Sequence, residues 1–255
     1  MSLKLALSEC AAGETLPLKW PGVNAPGHTL LSGAMPAAAG TRLLAGGGEA
    51  LFTVTGSVWL PGRDEVACRC ALLSACAAIG PEPEIALSSL KTGYAVAIIT
   101  LSDKGAAGQR EDTAGPAAQA MLEQTLPTAL ARRFVIPDSS ALLRALLATL
   151  ALEQGYDLIC TCGGTGLGPR DITPQTTRAA LDQELPGFAE AMRAASLAKT
   201  PNAIISRAVC GTIGQCLALN LPGSRRAAEE NLAALLPALE HSLAKLKGDS
   251  ADCGG

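Results

Sequence analysis

At 255 residues with 48% hydrophobic side chains, the chain carries enough apolar surface for one large core or two smaller ones. Its formal net charge of -3 excludes the strong positive field that draws nucleic acid nonspecifically. Met1 to Glu9 has too short an apolar run and too early an acid for a secretory signal, and no uninterrupted stretch is long and apolar enough to span a bilayer. A cytoplasmic protein with neither membrane nor nucleic acid as partner is therefore expected.

The turn-rich stretch from Gly13 to Gly48 leads into Glu49 to Val58, whose alternation suits a half-buried strand. Asp64 to Ile79 reads as a helix capped by Asp64 and stopped by Gly80-Pro81. Together these predict a small α+β module over residues 1–91, which resembles no family and suits either a packing attachment or a substrate-handling partner. Nine cysteines, an odd number without a secretion signal, read as reduced thiols. On the expected helix Cys68 and Cys70 point apart, Cys160 and Cys162 read as buried small hydrophobes, and His28 and His241 stand outside any ligand pattern, so no zinc site is expected.

From Tyr94 onward, strands and helices alternate. Tyr94 to Leu101 is a continuous apolar strand, Thr113 to Thr125 an Ala-rich helix and Arg133 to Ile136 a short strand. Leu142, Leu143, Leu146, Leu147 and Leu150 recur at helical spacing after Ser139-Ser140, and Asp157 to Thr161 forms the next strand. Gln175 to Asp182 and Gly187 to Leu197 read as helices, Gln215 to Leu221 as a strand, and Arg225 to Leu246 as a closing helix. The fold class is α/β, a mostly parallel sheet with helices on both faces over residues 92–247, followed by a flexible tail, 248–255. Phe188 and Met192, four apart on one helical face, belong to the core.

The run from Thr161 to Pro174 follows a strand and leads into a helix. Gly163, Gly164, Gly166 and Gly168 let backbone N–H groups turn toward an anion, and Thr173-Pro174 reads as an N-cap followed by Pro at the first helical position. A helix N-terminus beside a glycine loop is a phosphate cradle. Asp171 inside it suggests a cation such as Mg²⁺ between carboxylate and phosphate. The loop is neither a P-loop, since Gly168 is followed by Pro169-Arg170, nor the dinucleotide fingerprint, since Pro169 stands where the third glycine belongs. Because ligands in open α/β sheets gather at the carboxyl ends of strands, Ser102-Asp103, Asp138, the glycine loop and Asn220-Leu221-Pro222-Gly223 should converge.

Seven segments carry a resemblance. Ile99 to Gly105, Ile136-Pro137-Asp138, Cys162 to Gly166, Pro169 to Pro174, Leu185 to Phe188 with Met192-Arg193, Ser206-Arg207-Ala208 and Asn220 to Ser224 stand in the order found in molybdopterin adenylyltransferases. Residues 92–247 thus resemble the MogA type, related to the gephyrin G domain. The resemblance implies adenylylation of molybdopterin by Mg²⁺-ATP in molybdenum cofactor biosynthesis, with the substrate phosphate attacking the α-phosphorus and pyrophosphate leaving. Asp138 and Asp171 are then the catalytic residues and the Mg²⁺ ligands. Ser102, Asp103, Gly163, Gly164, Thr165, Gly166, Arg170, Ser206, Arg207, Pro222, Gly223 and Ser224 are the candidate contacts to nucleotide or pterin, and Asp112 resembles a family position in the first loop. A homotrimer is implied, with other cofactor-biosynthesis proteins as further partners.

From the residues alone, Asp138 could equally cap the helix that follows, Asp171 the Thr173-Pro174 helix, and Arg207 could form a structural ion pair with one of the domain's acids rather than meet a phosphate. Arg225-Arg226 make the rim after Ser224 more basic than the family pattern, which fits either tighter binding of a phosphorylated ligand or a non-catalytic molybdopterin-binding scaffold. Molybdate insertion of the MoeA type is a further alternative.

Overall fold

A computed structural model describes residues 2–62 and 66–249 and divides into two compact units, residues 1–93 with 153–155 and residues 94–152 with 156–255. The expected helix cap Asp64 and the tail beyond Asp249 lie outside the described residues.

The first unit is a closed barrel of seven strands. They are β1 (Ser2–Leu7), β2 (Thr15–Lys19), β3 (His28–Ser32), β4 (Arg42–Leu44), β5 (Ala50–Pro61), β6 (Ala67–Ala75) and β7 (Glu82–Leu90), in the order β1-β3-β2-β6-β5-β4-β7 with β7 closing on β1. Its interior is filled by Leu3, Leu5, Leu18, Leu30, Leu43, Phe52, Val54, Leu73 and Leu87. Period-2 alternation puts these residues inside and their neighbours outside, as Ser2, Leu3, Lys4 and Leu5 of β1 show.

This corrects the α+β expectation, because no helix occurs among the described residues up to Gly93. The segment read as a helix is β6. Alanine and cysteine make it locally helix-tolerant, but ladder pairing with both β5 and β2 decides its conformation. Cys68 and Cys70, two apart on a strand, therefore share a face rather than pointing apart. The stretch read as turns holds β2, β3 and β4. His28 is wholly buried inside the barrel with its ring 4.8 Å from that of Phe52. Its Nδ1 accepts the Ser8 N–H at 3.1 Å, while Nε2 has no hydrogen-bond partner among the described residues. Burial pushes its pKa below the ordinary histidine value, opposed by the charge of Glu14.

The second unit is a six-stranded sheet of β8 (Tyr94–Leu101), β9 (Thr128–Ile136), β10 (Leu158–Cys162), β11 (Gln183–Glu184), β12 (Cys210–Ile213) and β13 (Cys216–Leu221), ordered β11-β12-β13-β10-β8-β9. Strands β9, β8, β10 and β13 are mutually parallel, and β12 and β11 add antiparallel pairings at one edge. That edge arises from a tight hairpin, in which Gly214 at φ 56° begins the two-residue turn between the paired Ile213 and Cys216. The α-helices among its described residues are α1 (Asp103–Ala106), α2 (Ala114–Thr125), α3 (Ser140–Ala148), α4 (Thr173–Arg178), α5 (Pro186–Leu197) and α6 (Arg225–Leu246).

Residues Ala95 to Leu101 of β8 are all buried, as a central parallel strand covered on both sides requires. On one face Val96, Ile98, Leu158, Cys160 and Leu219 pack with Leu122 of α2, Met192 of α5 and Leu232, Leu235 and Leu239 of α6, and Phe188 packs against the same cluster. On the other, the buried Asn220 amide of β13 donates to the Thr161 hydroxyl at 2.9 Å and to the Thr177 hydroxyl of α4 at 3.0 Å, while its carbonyl accepts the Val209 N–H at 3.2 Å. No helix among the described residues is long and apolar enough to cross a membrane.

Candidate active site

Four parallel strands end at one edge of the sheet, at Leu101, Ile136, Cys162 and Leu221. The loops that follow are latched to one another. After β8, Ser102 caps α1 by accepting the Gly105 N–H at 3.0 Å. The next residue, Asp103, donates its N–H to Asp138 Oδ2 at 3.2 Å, and Asp138, after β9, donates its N–H to Asp103 Oδ1 at 3.1 Å. Arg170 from the glycine loop grips the same Asp103 carboxylate, with Nε 3.1 Å from Oδ2 and Nη2 2.6 Å from Oδ1. Both side chains are largely exposed, so the pair orders the loops more than it stabilises the fold.

Within the glycine loop, Gly163 at φ 106° and Gly164 at φ 63° are forced to be glycine. A Cβ would lie 2.7 Å from the Leu101 carbonyl oxygen at the first and 2.5 Å from the Thr173 hydroxyl at the second. Gly223 also packs closely on this loop, since a Cβ there would lie 3.1 Å from the Gly163 Cα. Thr173 does not cap α4: Ile172 holds that position, and the Thr173 hydroxyl donates to the Gly163 carbonyl at 2.8 Å. Asp138 is not a cap either, because Ser139 accepts the Leu142 N–H at the start of α3. Asp171 accepts the Gly168 N–H at 2.7 Å, with its Oδ2 beside Gly166 and Gly168. Ser224 caps α6, accepting the Ala227 N–H at 3.3 Å.

These pieces enclose a cleft of about 490 Å³. Ser102, Asp138, Gly163, Gly164, Arg170, Asp171, Gly223 and Ser224 line it, joined by Thr100, Arg110, Glu111, Asp112 and Thr113. Burial pushes the Asp138 carboxyl above the usual aspartate value, and the charges of Asp103 and Asp171 add to the rise. Asp103 is held below it, chiefly by hydrogen bonds from Arg170 and then by the Asp138 N–H. At the base, burial pushes the Cys162 thiol to about 12, which keeps it neutral.

The remaining expected contacts fall elsewhere. Thr165, Gly166, Ser206 and Pro222 line a second cavity of about 260 Å³ with Arg193, Asn202, Ile205 and Asn231. Arg207 lines neither cavity, a correction to its expected role. Its Nε donates to the Gly166 carbonyl at 2.7 Å, Nη2 to the Asp171 carbonyl at 2.5 Å and Nη1 to Gln175 Oε1 at 3.0 Å, so it clasps the glycine loop from behind. The basic rim is likewise internally compensated, with Arg225 on Glu229 and Arg226 on Glu230, each at 2.9 Å.

Sequence reasoning passed over Arg110 and Glu111, which sit in a loop with no glycine pattern or strand end to mark them. Asp112 is anchored by the Thr100 hydroxyl at 2.8 Å and the Gly115 N–H at 3.0 Å, so it shapes the wall. Among the described residues no three His, Cys, Asp or Glu side chains gather tightly enough to hold a metal unaided.

An α/β sheet whose parallel strands deliver a glycine-rich loop, helix N-termini and carboxylates to one cleft defines an α/β domain with its candidate site at the carboxyl ends of the strands. The family described as "Probable molybdopterin binding domain" matches residues 97–241, and the chain belongs to it. The molybdopterin adenylyltransferase of Haemophilus influenzae is 43% identical over 139 residues, 54% of this chain and 70% of that protein. That of Escherichia coli is 39% identical over 142 residues, 54% of this chain and 71% of that protein. The crystal structure of the molybdopterin biosynthesis enzyme MoaB from Thermus thermophilus is 46% identical with a TM-score of 0.57, covering 61% of this chain and 98% of that one.

Proposed function

We propose that this protein is a Mg²⁺-ATP-dependent molybdopterin adenylyltransferase of molybdenum cofactor biosynthesis, working through residues 92–247. The observation that carries the reading is that Asp138 and Asp171 line one cleft together with Gly163, Gly164 and the Gly223-Ser224 start of α6. Similarity to adenylyltransferases at 43% and 39% identity supports it.

The attacking group is the terminal phosphate of molybdopterin. With a second pKa of about 6 it is already mostly dianionic at neutral pH, so no strong general base is needed. Neither His28 nor His241 lines the cleft. What the reaction needs is alignment and charge neutralisation while pyrophosphate leaves the α-phosphorus. Two carboxylates whose mutual repulsion helps raise Asp138 suit a divalent cation. Fewer than three protein ligands suits Mg²⁺, which completes its shell with phosphate oxygens and water. Asp138 and Asp171 would hold it, and when bound it supplies positive charge against the triphosphate.

The Gly163 N–H is taken by the Leu221 carbonyl at 3.0 Å, so Gly164 and the α6 N-terminus after Gly223 are the N–H groups left for phosphate oxygens. Ser102 and Arg170 border the same space, whereas Thr165, Gly166, Ser206 and Pro222 face the second cavity, so the nucleotide and pterin arms divide across the glycine loop. Arg207 keeps that loop in shape. A cytoplasmic homotrimer is the assembly this reading expects.

Incubating the protein with Mg²⁺, ATP and molybdopterin tests the proposal through pyrophosphate release. Binding of molybdopterin without release would instead identify a scaffold, and a requirement for molybdate with adenylylated molybdopterin would identify an insertion protein.

A further inference from the structure

The charge balance of the cleft is uneven. Four carboxylates line it, Glu111, Asp112, Asp138 and Asp171, against two arginines, Arg110 and Arg170. Arg170 is committed to Asp103 at 2.6 Å and 3.1 Å, and Arg207 behind the loop to backbone carbonyls. Among the described residues Arg110 is the cleft arginine with no ion pair or hydrogen bond, and its side chain is exposed to the cleft's solvent. Yet the backbone that carries it is pinned. Two residues on, Asp112 takes the hydroxyl of Thr100 at the end of β8 and the N–H of Gly115 in the first turn of α2, which fixes the segment against the cleft wall.

An unpaired guanidinium on an ordered wall is a preorganised anion contact, because neither a competing ion pair nor loop ordering has to be overcome when the ligand arrives. We propose that Arg110 binds the β- and γ-phosphates of the nucleotide, the pair that leaves as pyrophosphate. The inference rests on the adenylyltransferase reading and deepens it. It assigns the phosphate chain to a segment other than the glycine loop, which with Asp138 and Asp171 serves the reacting phosphates. A triphosphate is the most highly charged group the reaction brings in, and it is the one for which a free guanidinium matters most.

Calorimetric titration of the full chain with ATP, AMP and inorganic tripolyphosphate, each with Mg²⁺, tests this. For Arg110→Gln, ATP and tripolyphosphate should bind about tenfold more weakly while AMP stays within about twofold, since one charge-assisted contact is lost only where a phosphate chain reaches it. Arg110→Lys should recover part of the loss. An unchanged melting temperature shows that each variant is folded. Equal weakening of AMP and ATP, or no weakening of either, overturns the assignment. A wild-type protein that binds no nucleotide and releases no pyrophosphate overturns the adenylyltransferase reading itself, whereas a competent wild type beside an indifferent Arg110→Gln removes Arg110 alone.

Discussion

The barrel and the α/β unit draw on the same residue types, yet they place their polar groups in opposite ways. The barrel strands pair antiparallel, apart from β2 with β3, so neighbouring strands elsewhere run in opposite directions and adjacent strand ends are divided between its two rims. Four parallel strands of the α/β unit end on one edge, and Ser102, Asp138, the glycine loop and Gly223 meet there as a consequence. Convergent chemistry thus follows strand direction rather than composition. The barrel instead keeps its one histidine inside and uncharged.

The sharpest way to break this contrast is to neutralise the carboxylates. Asp171→Asn or Asp138→Asn should lower the rate of pyrophosphate release by about 10²–10³-fold, as loss of one preorganised electrostatic contact does elsewhere, with unchanged circular dichroism. Retention of more than half the wild-type rate in both variants would place the chemistry outside this cleft.

The barrel should answer to packing. Phe52 is fully buried, and Phe52→Ala should cost about 3–5 kcal/mol of barrel stability. Both tryptophans, Trp20 and Trp59, lie in the barrel, so its denaturant midpoint can be followed by tryptophan fluorescence alone. Beneath the glycine loop, Asn220→Ala strands the Thr161 and Thr177 hydroxyls and the Val209 N–H, and should cost about 1–3 kcal/mol in chemical denaturation.

A smaller effect concerns pH. His28 has a folded pKa below its unfolded value of 6.5. The unfolded chain therefore takes up the proton first, so this residue's contribution to barrel stability is complete above pH 6.5 and declines as the pH falls through it. The fluorescence midpoint should drop on acidification, and a His28→Gln variant should lose that part of the slope. Arg225→Ala should do least of all, leaving the melting temperature within error because its pair with Glu229 lies on the solvated face of α6.

How much of this was legible in the sequence differs between the two units for the same physical reason. A central parallel strand is buried on both faces, so Ala95 to Leu101 stands out as an unbroken apolar run, and the close-packed glycines after β10 are conspicuous in one dimension. Barrel strands are short and only half apolar. The alternation of β1 was present but easily passed over, and alanines and cysteines hid β6 inside an apparent helix whose true partners lie in β2 and β5. The antiparallel edge was missed because β12 and β11 are short and take their register from β13. Within the site, the roles of Asp138 and Arg207 hinged on which nearby groups competed for them. Ser139 took the helix cap, and the carbonyls of Gly166 and Asp171 took the guanidinium, and neither outcome can be read from spacing.

The most direct measurement follows two labels. With ATP labelled at the α-phosphorus, radioactivity should become covalently attached to molybdopterin in a Mg²⁺-dependent reaction, while label at the γ-phosphorus should leave wholly as pyrophosphate. Transfer of the γ-label to the pterin, or no transfer of the α-label, would contradict the account.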